Sequence, residues 1–131
     1  MEYISSENLP IVLHTLEKIE LAITRLQERT ANIRSTDDFL LSPSGMEKLD
    51  AACMVLIAIG ESVKNLDKHT NGQMLSTYPD IPWKRVMGMR DVIAHHYFDV
   101  DADVVYSVIS KELSPLKAAI IYFKEQLSSN K

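Results

Sequence analysis

A single cysteine, Cys53, is all the thiol this chain holds, which excludes an internal disulfide. It lies within an apolar run, and a reducing, cytoplasmic setting is the expectation. No apolar run approaches the roughly 20 residues that a membrane-spanning helix requires, so no membrane partner is expected. The opening Met1-Glu2-Tyr3 has neither the basic start nor the apolar stretch of a secretory signal, and none is expected. Glycine and proline are scarce, at four and five residues, and they sit at joints. Long stretches are thereby left free to be helical. Basic residues are outnumbered, 14 Lys and Arg against 18 Asp and Glu, for a net charge of −4. That balance argues against a protein that coats nucleic acid through a broad basic face. It leaves room for a small local RNA site. No internal repeat is visible, and no low-complexity segment beyond residues 128–131.

What is present is enough for a core. With 46% hydrophobic residues the chain supports a globular interior, and its 131 residues read as one domain spanning 1–131. Leu9, Leu13, Leu16, Ile19, Ile23 and Leu26 recur at steps of three and four, which predicts a first helix from about Leu9 into the twenties or early thirties. Residues 37–44 break that pattern. Ser44 followed by Glu47 predicts a capping box and the start of a second helix. Along that helix Leu49, Cys53, Leu56, Gly60 and Val63 form one stripe, and residues 54–59 are apolar on every side. Such a helix is central in its bundle or shared with a second subunit. Gly60 would let another helix approach closely.

Residues 70–82 contain Gly72, Pro79 and Pro82 and read as a long connection. Pro82 suits the first turn of a third helix, expected to run to near His95. A fourth begins near Asp101 or Asp103, buries Val105, Ile109, Leu116, Ile120, Phe123 and Leu127, and should kink at Pro115. Four main helices make an all-α antiparallel bundle the economical architecture.

Chemistry concentrates in residues 83–97. On a continuous helix at about 100° per residue, Trp83, Val86, Met87, Ile93 and Ala94 gather on one face with Arg90 in their midst. A guanidinium there must be paired or face a cleft. Asp91 and His95 are four apart and could touch, the carboxylate orienting the imidazole. Arg90 and His95 would diverge by about 140° on that helix. To meet at one phosphate they need the reach of the arginine, a helix end near His95, or a second copy across a dimer axis. Buried Arg–Asp pairs and helix-end histidines also serve purely structural ends in many bundles, so these residues alone leave both readings open. Trp83 and the six methionines read as core, and His14 and His69 as surface or cap residues. His95 and His96 are adjacent rather than at ligand spacing, and one cysteine completes no zinc set, so no metal is expected.

The window resembles the HEPN superfamily, and within it the HepT-type toxins of bacterial and archaeal toxin–antitoxin pairs. Ribonucleases of that superfamily carry an Arg, four to six residues, then a His, with a polar residue often directly after the Arg; here these are Arg90, Asp91 and His95. The HepT branch extends the pattern to Arg, four residues, His, one residue, Tyr, which Arg90, His95 and Tyr97 match. Tyr78-Pro79-Asp80-Ile81-Pro82-Trp83, Gly88-Met89-Arg90 and Ile59-Gly60-Glu61 are similar to that branch as well, so the resemblance covers nearly the whole chain. Asp91 stands where many relatives carry Asn. The resemblance implies a HEPN-like bundle and a toxin encoded beside a minimal nucleotidyltransferase antitoxin, while the all-round apolar second helix and the divergence of Arg90 from His95 predict a homodimer. Its activity would be endoribonucleolytic, on an RNA substrate, without metal or cofactor. Arg90 and His95 would be catalytic, Asp91 supporting, and Tyr97 the acceptor of AMP from the antitoxin. The alternative is a non-catalytic dimeric module that docks and regulates a partner nucleotidyltransferase.

Overall fold

The structure, a computed structural model, describes residues 3–96 and 99–129, and of His95 and His96 the backbone only. Helix α1 spans Leu9–Arg29, with Pro10 in its first turn, where a missing N–H removes no intrahelical bond. It turns Val12, Leu16, Ile19, Ile23 and Leu26 into the core. Its end is closed by Thr30, a buried hydroxyl that donates to the Leu26 carbonyl at 2.7 Å.

The expected break at 37–44 contains a five-residue helix, α2, Thr36–Leu40. It is too short to show a period, and one side chain explains it: Phe39 is fully buried. Helix α3, Pro43–His69, follows after a sharp turn. Its cap is Ser42 rather than Ser44. Ser42 has extended backbone and its Oγ accepts the Gly45 N–H at 2.9 Å. Pro43, with no N–H to satisfy and φ already helical, takes the first helical position and moves the start two residues upstream of the expected capping box. Gly45 is required there: a Cβ would fall 2.1 Å from the Asp38 carbonyl oxygen.

Helix α3 is central, as its composition implies, and packs against α1, α2 and the elements that follow. Leu49, Cys53, Leu56, Gly60 and Val63 are all buried. Burial, with Asp50 as a smaller contributor, pushes the Cys53 thiol up to about 11. The helix is not enclosed all round, however: Met54 is 75% and Met46 52% exposed, against the expectation that the methionines are core.

Beyond residues 70–82, where Met74, Leu75 and Ile81 are buried, the single third helix expected from Pro82 to His95 is replaced by four shorter elements. These are α4, Trp83–Met87; α5, Met89–Ile93; and an antiparallel pair, β1, Ala94–His96, with β2, Asp99–Val100. Gly88 ends α4 and begins α5 with a non-helical ψ of 24°. Helix α6, Ala102–Ser107, is capped by Asp101, one of the two candidates. A π-helical turn, Val108–Glu112, joins it to α7, Leu113–Ser129. The distortion expected at Pro115 takes this form: Pro115 has no N–H for the carbonyl four residues back, and the turn holding that carbonyl is widened. The extra residue shifts the buried phase, so Val108 is buried where Ile109 was expected, while Leu116, Ile120, Phe123 and Leu127 line the core as read.

The bundle seats α4 and α5 against α3 through Gly60. A Cβ at Gly60 would lie 2.6 Å from the Val86 carbonyl oxygen and 3.1 Å from Met89 Cβ. Gly60→Ala should therefore lower the melting temperature, because the overpacking of about 1–3 kcal/mol exceeds the roughly 1 kcal/mol that alanine gains in helix propensity. A thermal melt with an unchanged or raised midpoint would show that α4 is not held this closely.

Candidate active site

The 83–101 segment is an elbow laid on the bundle. Trp83 anchors its start, with its ring in the core and its Nε1–H donating to the Tyr78 carbonyl at 2.9 Å. The Trp83 ring packs on Phe123 at 5.9 Å between centroids, and Tyr78 and Tyr122 extend the aromatic cluster. Val86 and Met89 continue the buried side, and Ile93 closes it with no exposure. Arg85 is tied to Glu112 of the π-helical turn by an ion pair. An apolar cavity of about 200 Å³ lies on the inner side of the elbow, walled by Leu56, Ile59, Val86, Met89, Val108 and Leu116.

Arg90 is not in the middle of the apolar face. The break at Gly88 resets the helical phase, so that Met89 and Ile93 turn inward while Arg90 and Asp91 are exposed. Among the described residues Arg90 makes no ion pair, and the neighbouring elbow cation Lys84 is also exposed and unpaired. An unpaired surface guanidinium retains its full complement of donors for an incoming anion.

The chain leaves α5 at Ile93 and becomes extended at Ala94, with φ −139° and ψ 130°. His95 is therefore in β1, not on a helix, and both the 140° divergence from Arg90 and the four-residue contact with Asp91 lose the helical premise on which they were reckoned. This is the helix end near His95 that a meeting of Arg90 and His95 would need. Tyr97 lies outside the described residues. On the return side, Ala94 pairs with Val100 and His96 with Asp99, with an irregular register between the two pairs. The Asp101 N–H donates to the Ile93 carbonyl at 2.8 Å, so the two-stranded ladder is closed at its base.

The strand pair was not anticipated. Its signal among the described residues is Val100, a residue type that favours pleated backbone over helix, followed by a helix-capping aspartate. Among the described residues, no three His, Cys, Asp or Glu side chains gather as a metal ion would require. No described helix is long and apolar enough to cross a membrane.

Comparison with known proteins agrees with the resemblance. The family model described as "Ribonuclease HepT-like" matches residues 19–123. A Methanocaldococcus jannaschii protein named "Gamma-glutamylcyclotransferase and putative RNase MJ0434" is 35% identical over 90% of this chain, which spans only 48% of that protein. "Putative RNase TTE0752" of Caldanaerobacter subterraneus subsp. tengcongensis is 34% identical over 93% of this chain and 96% of its own length. "Probable ribonuclease HepT" of Thermococcus cleftensis is 32% identical over 78% of this chain and 86% of its own. No solved structure matches the chain. A family match over most of the chain, on an all-α fold whose Arg90 elbow opens outward, shows that the chain belongs to the Ribonuclease HepT-like family of the HEPN superfamily.

Proposed function

We propose that this chain is an endoribonuclease toxin of HepT type, with Arg90 and His95 as its catalytic residues. The observation that carries the reading is the outward Arg90, without an ion pair among the described residues, shortly before the chain turns into the strand holding His95, within a family whose relatives are named as ribonucleases. The chemistry asks for little more. A base removes the proton of a ribose 2′-hydroxyl, whose oxygen attacks the adjacent phosphorus. The 5′-oxygen leaves with a proton from an acid, and the 3′ side closes as a 2′,3′-cyclic phosphate. Imidazole suits either proton transfer near neutral pH. Arg90 stabilises the charge that builds on the equatorial phosphate oxygens, best through two parallel hydrogen bonds. No step requires a metal ion.

One imidazole cannot fill both roles at once in a single site, so a homodimer that brings two His95 side chains to one phosphate completes the scheme. The exposed Met46 and Met54 on α3, with half-buried Ile57 on the same side, supply apolar surface for such an assembly. Asp91, exposed beside Arg90, places a negative charge near the substrate and tempers RNA affinity. Purified protein should cleave RNA in excess chelator. Arg90→Ala or His95→Ala should lower the rate by roughly 10²–10⁴-fold while leaving the melting temperature nearly unchanged. Full activity of His95→Ala, or activity abolished by the chelator, would sink the reading.

A route of neutralisation is proposed from the sequence motif, in which Tyr97 stands two residues after His95. The partner is a cognate nucleotidyltransferase antitoxin that uses ATP: the Tyr97 phenol oxygen attacks the α-phosphorus, pyrophosphate leaves, and AMP remains on the tyrosine. Carried two residues along the chain from His95, that group would add bulk and negative charge that compete with an RNA phosphate. With antitoxin and ATP, the protein should gain one or more AMP masses on the Tyr97 peptide and lose activity, and Tyr97→Phe should escape both. Modification mapped to another residue, or none, would leave tight complex formation as the remaining route to neutralisation.

A further inference from the structure

Building on the reading of His95 as the proton-transfer group, we propose that Asp101 is a positioning residue for it, acting by closing the base of the β1–β2 ladder rather than by touching substrate. Strands of three and two residues do not hold themselves together in water. The irregular register between the Ala94–Val100 and His96–Asp99 pairs weakens the ladder further. Its geometry must come from its base, where half-buried Ala94 and Val100 pack against the core and the two chain ends join the bundle. One end leaves α5 at Ile93, which is fully buried and fixed. The other enters α6 through Asp101.

Asp101 ties both together. Its N–H donates to the Ile93 carbonyl at 2.8 Å, and its Oδ1 accepts the Val104 N–H at 3.1 Å. The first bond joins the returning strand to the last residue of α5. The second holds the Asp101 backbone in the extended conformation, φ −86° and ψ 96°, that aims the N–H at Ile93. Helix α6 is itself fastened to the bundle: Ala102 and Val105 are buried, and Thr36 Oγ1 donates to Asp103 Oδ1 at 2.6 Å. A rigid anchor is thus transmitted through one carboxylate to the strand in which His95 stands. Remove the cap, and the base of the ladder can open while the core stays packed.

The test compares Asp101→Ala, which cannot cap, with Asp101→Ser and Asp101→Asn, which can. Ser42→Ala, which removes the equivalent cap of α3, controls for a general loss of stability. On an RNA substrate, Asp101→Ala should lose roughly 10- to 100-fold in kcat with KM near wild type, the scale of a misplaced catalytic group. Ser and Asn should recover most of that loss, and Ser42→Ala should show none of it. Amide exchange at residues 93–96 and 99–101 should quicken in Asp101→Ala and return to wild type in Asp101→Ser. The proposal fails if Asp101→Ala keeps full kcat, if Ser42→Ala loses as much, or if Ser and Asn are as inactive as Ala, which would assign the effect to the carboxylate charge. An inactive wild type would refute the ribonuclease reading instead. The exchange pattern would then decide alone: faster exchange confined to the cap-less variant upholds the positioning role, and equal exchange in all variants overturns it.

Discussion

The approach of one backbone to another at Gly60 is the contact on which the rest of the site depends. Helix α3 could carry any small apolar residue at that position and still bury its stripe. Only the absence of a Cβ lets the Val86 carbonyl and Met89 sit directly on the helix. That seat fixes α4, and Gly88 then redirects the chain so that Met89 and Ile93 point inward and Arg90 outward. Close packing is unforgiving at this scale, since backbone oxygens cannot step aside as a flexible side chain can. The elbow is therefore held by the core, whereas the short strands after it are held by their ends.

This division suits a protein of net charge −4 that is to meet RNA. Affinity cannot come from a broad basic field. On the proposed reading it comes from a few cations at one place, and among the described residues Lys84 and Arg90 make no ion pair while Arg85 is paired with Glu112. A catalytic contact to one phosphate needs no more than this, and weak general attraction to nucleic acid keeps the encounter dependent on the site itself.

Much of the bundle was legible in the sequence because long helices repeat themselves. The stripes of α1, α3 and α7 each run over several turns, so a misjudged residue at an end does not alter the buried face. Short elements gave no such redundancy. Helix α2 has five residues and one informative side chain, Phe39. The start of α3 moved because Pro43 outranked the Ser44–Glu47 pattern. The π-helical turn shifted the phase by one residue and put Val108 in the place expected of Ile109. Met46 and Met54 were read as core because hydrophobicity alone does not say which side of an apolar helix remains open. In the candidate site, the spacing of Arg90 and His95 marked the segment, but the backbone geometry of that segment was not legible. Extending a 3.6-residue period through Gly88 and past Ile93 placed Arg90 on the wrong face and His95 on a helix that has already ended.

In the proposed reaction a 2′-hydroxyl, activated by imidazole beside an arginine, cleaves the RNA chain without a metal. The chemical identity of the ends produced distinguishes that reaction from attack by water. Mass spectrometry of the oligonucleotides released by purified protein in chelator should find 2′,3′-cyclic phosphate on one fragment and a 5′-hydroxyl on the other. Fragments bearing a 3′-hydroxyl and a 5′-phosphate would contradict it, because a water or hydroxide attacking phosphorus, and not the neighbouring ribose oxygen, would then be the nucleophile.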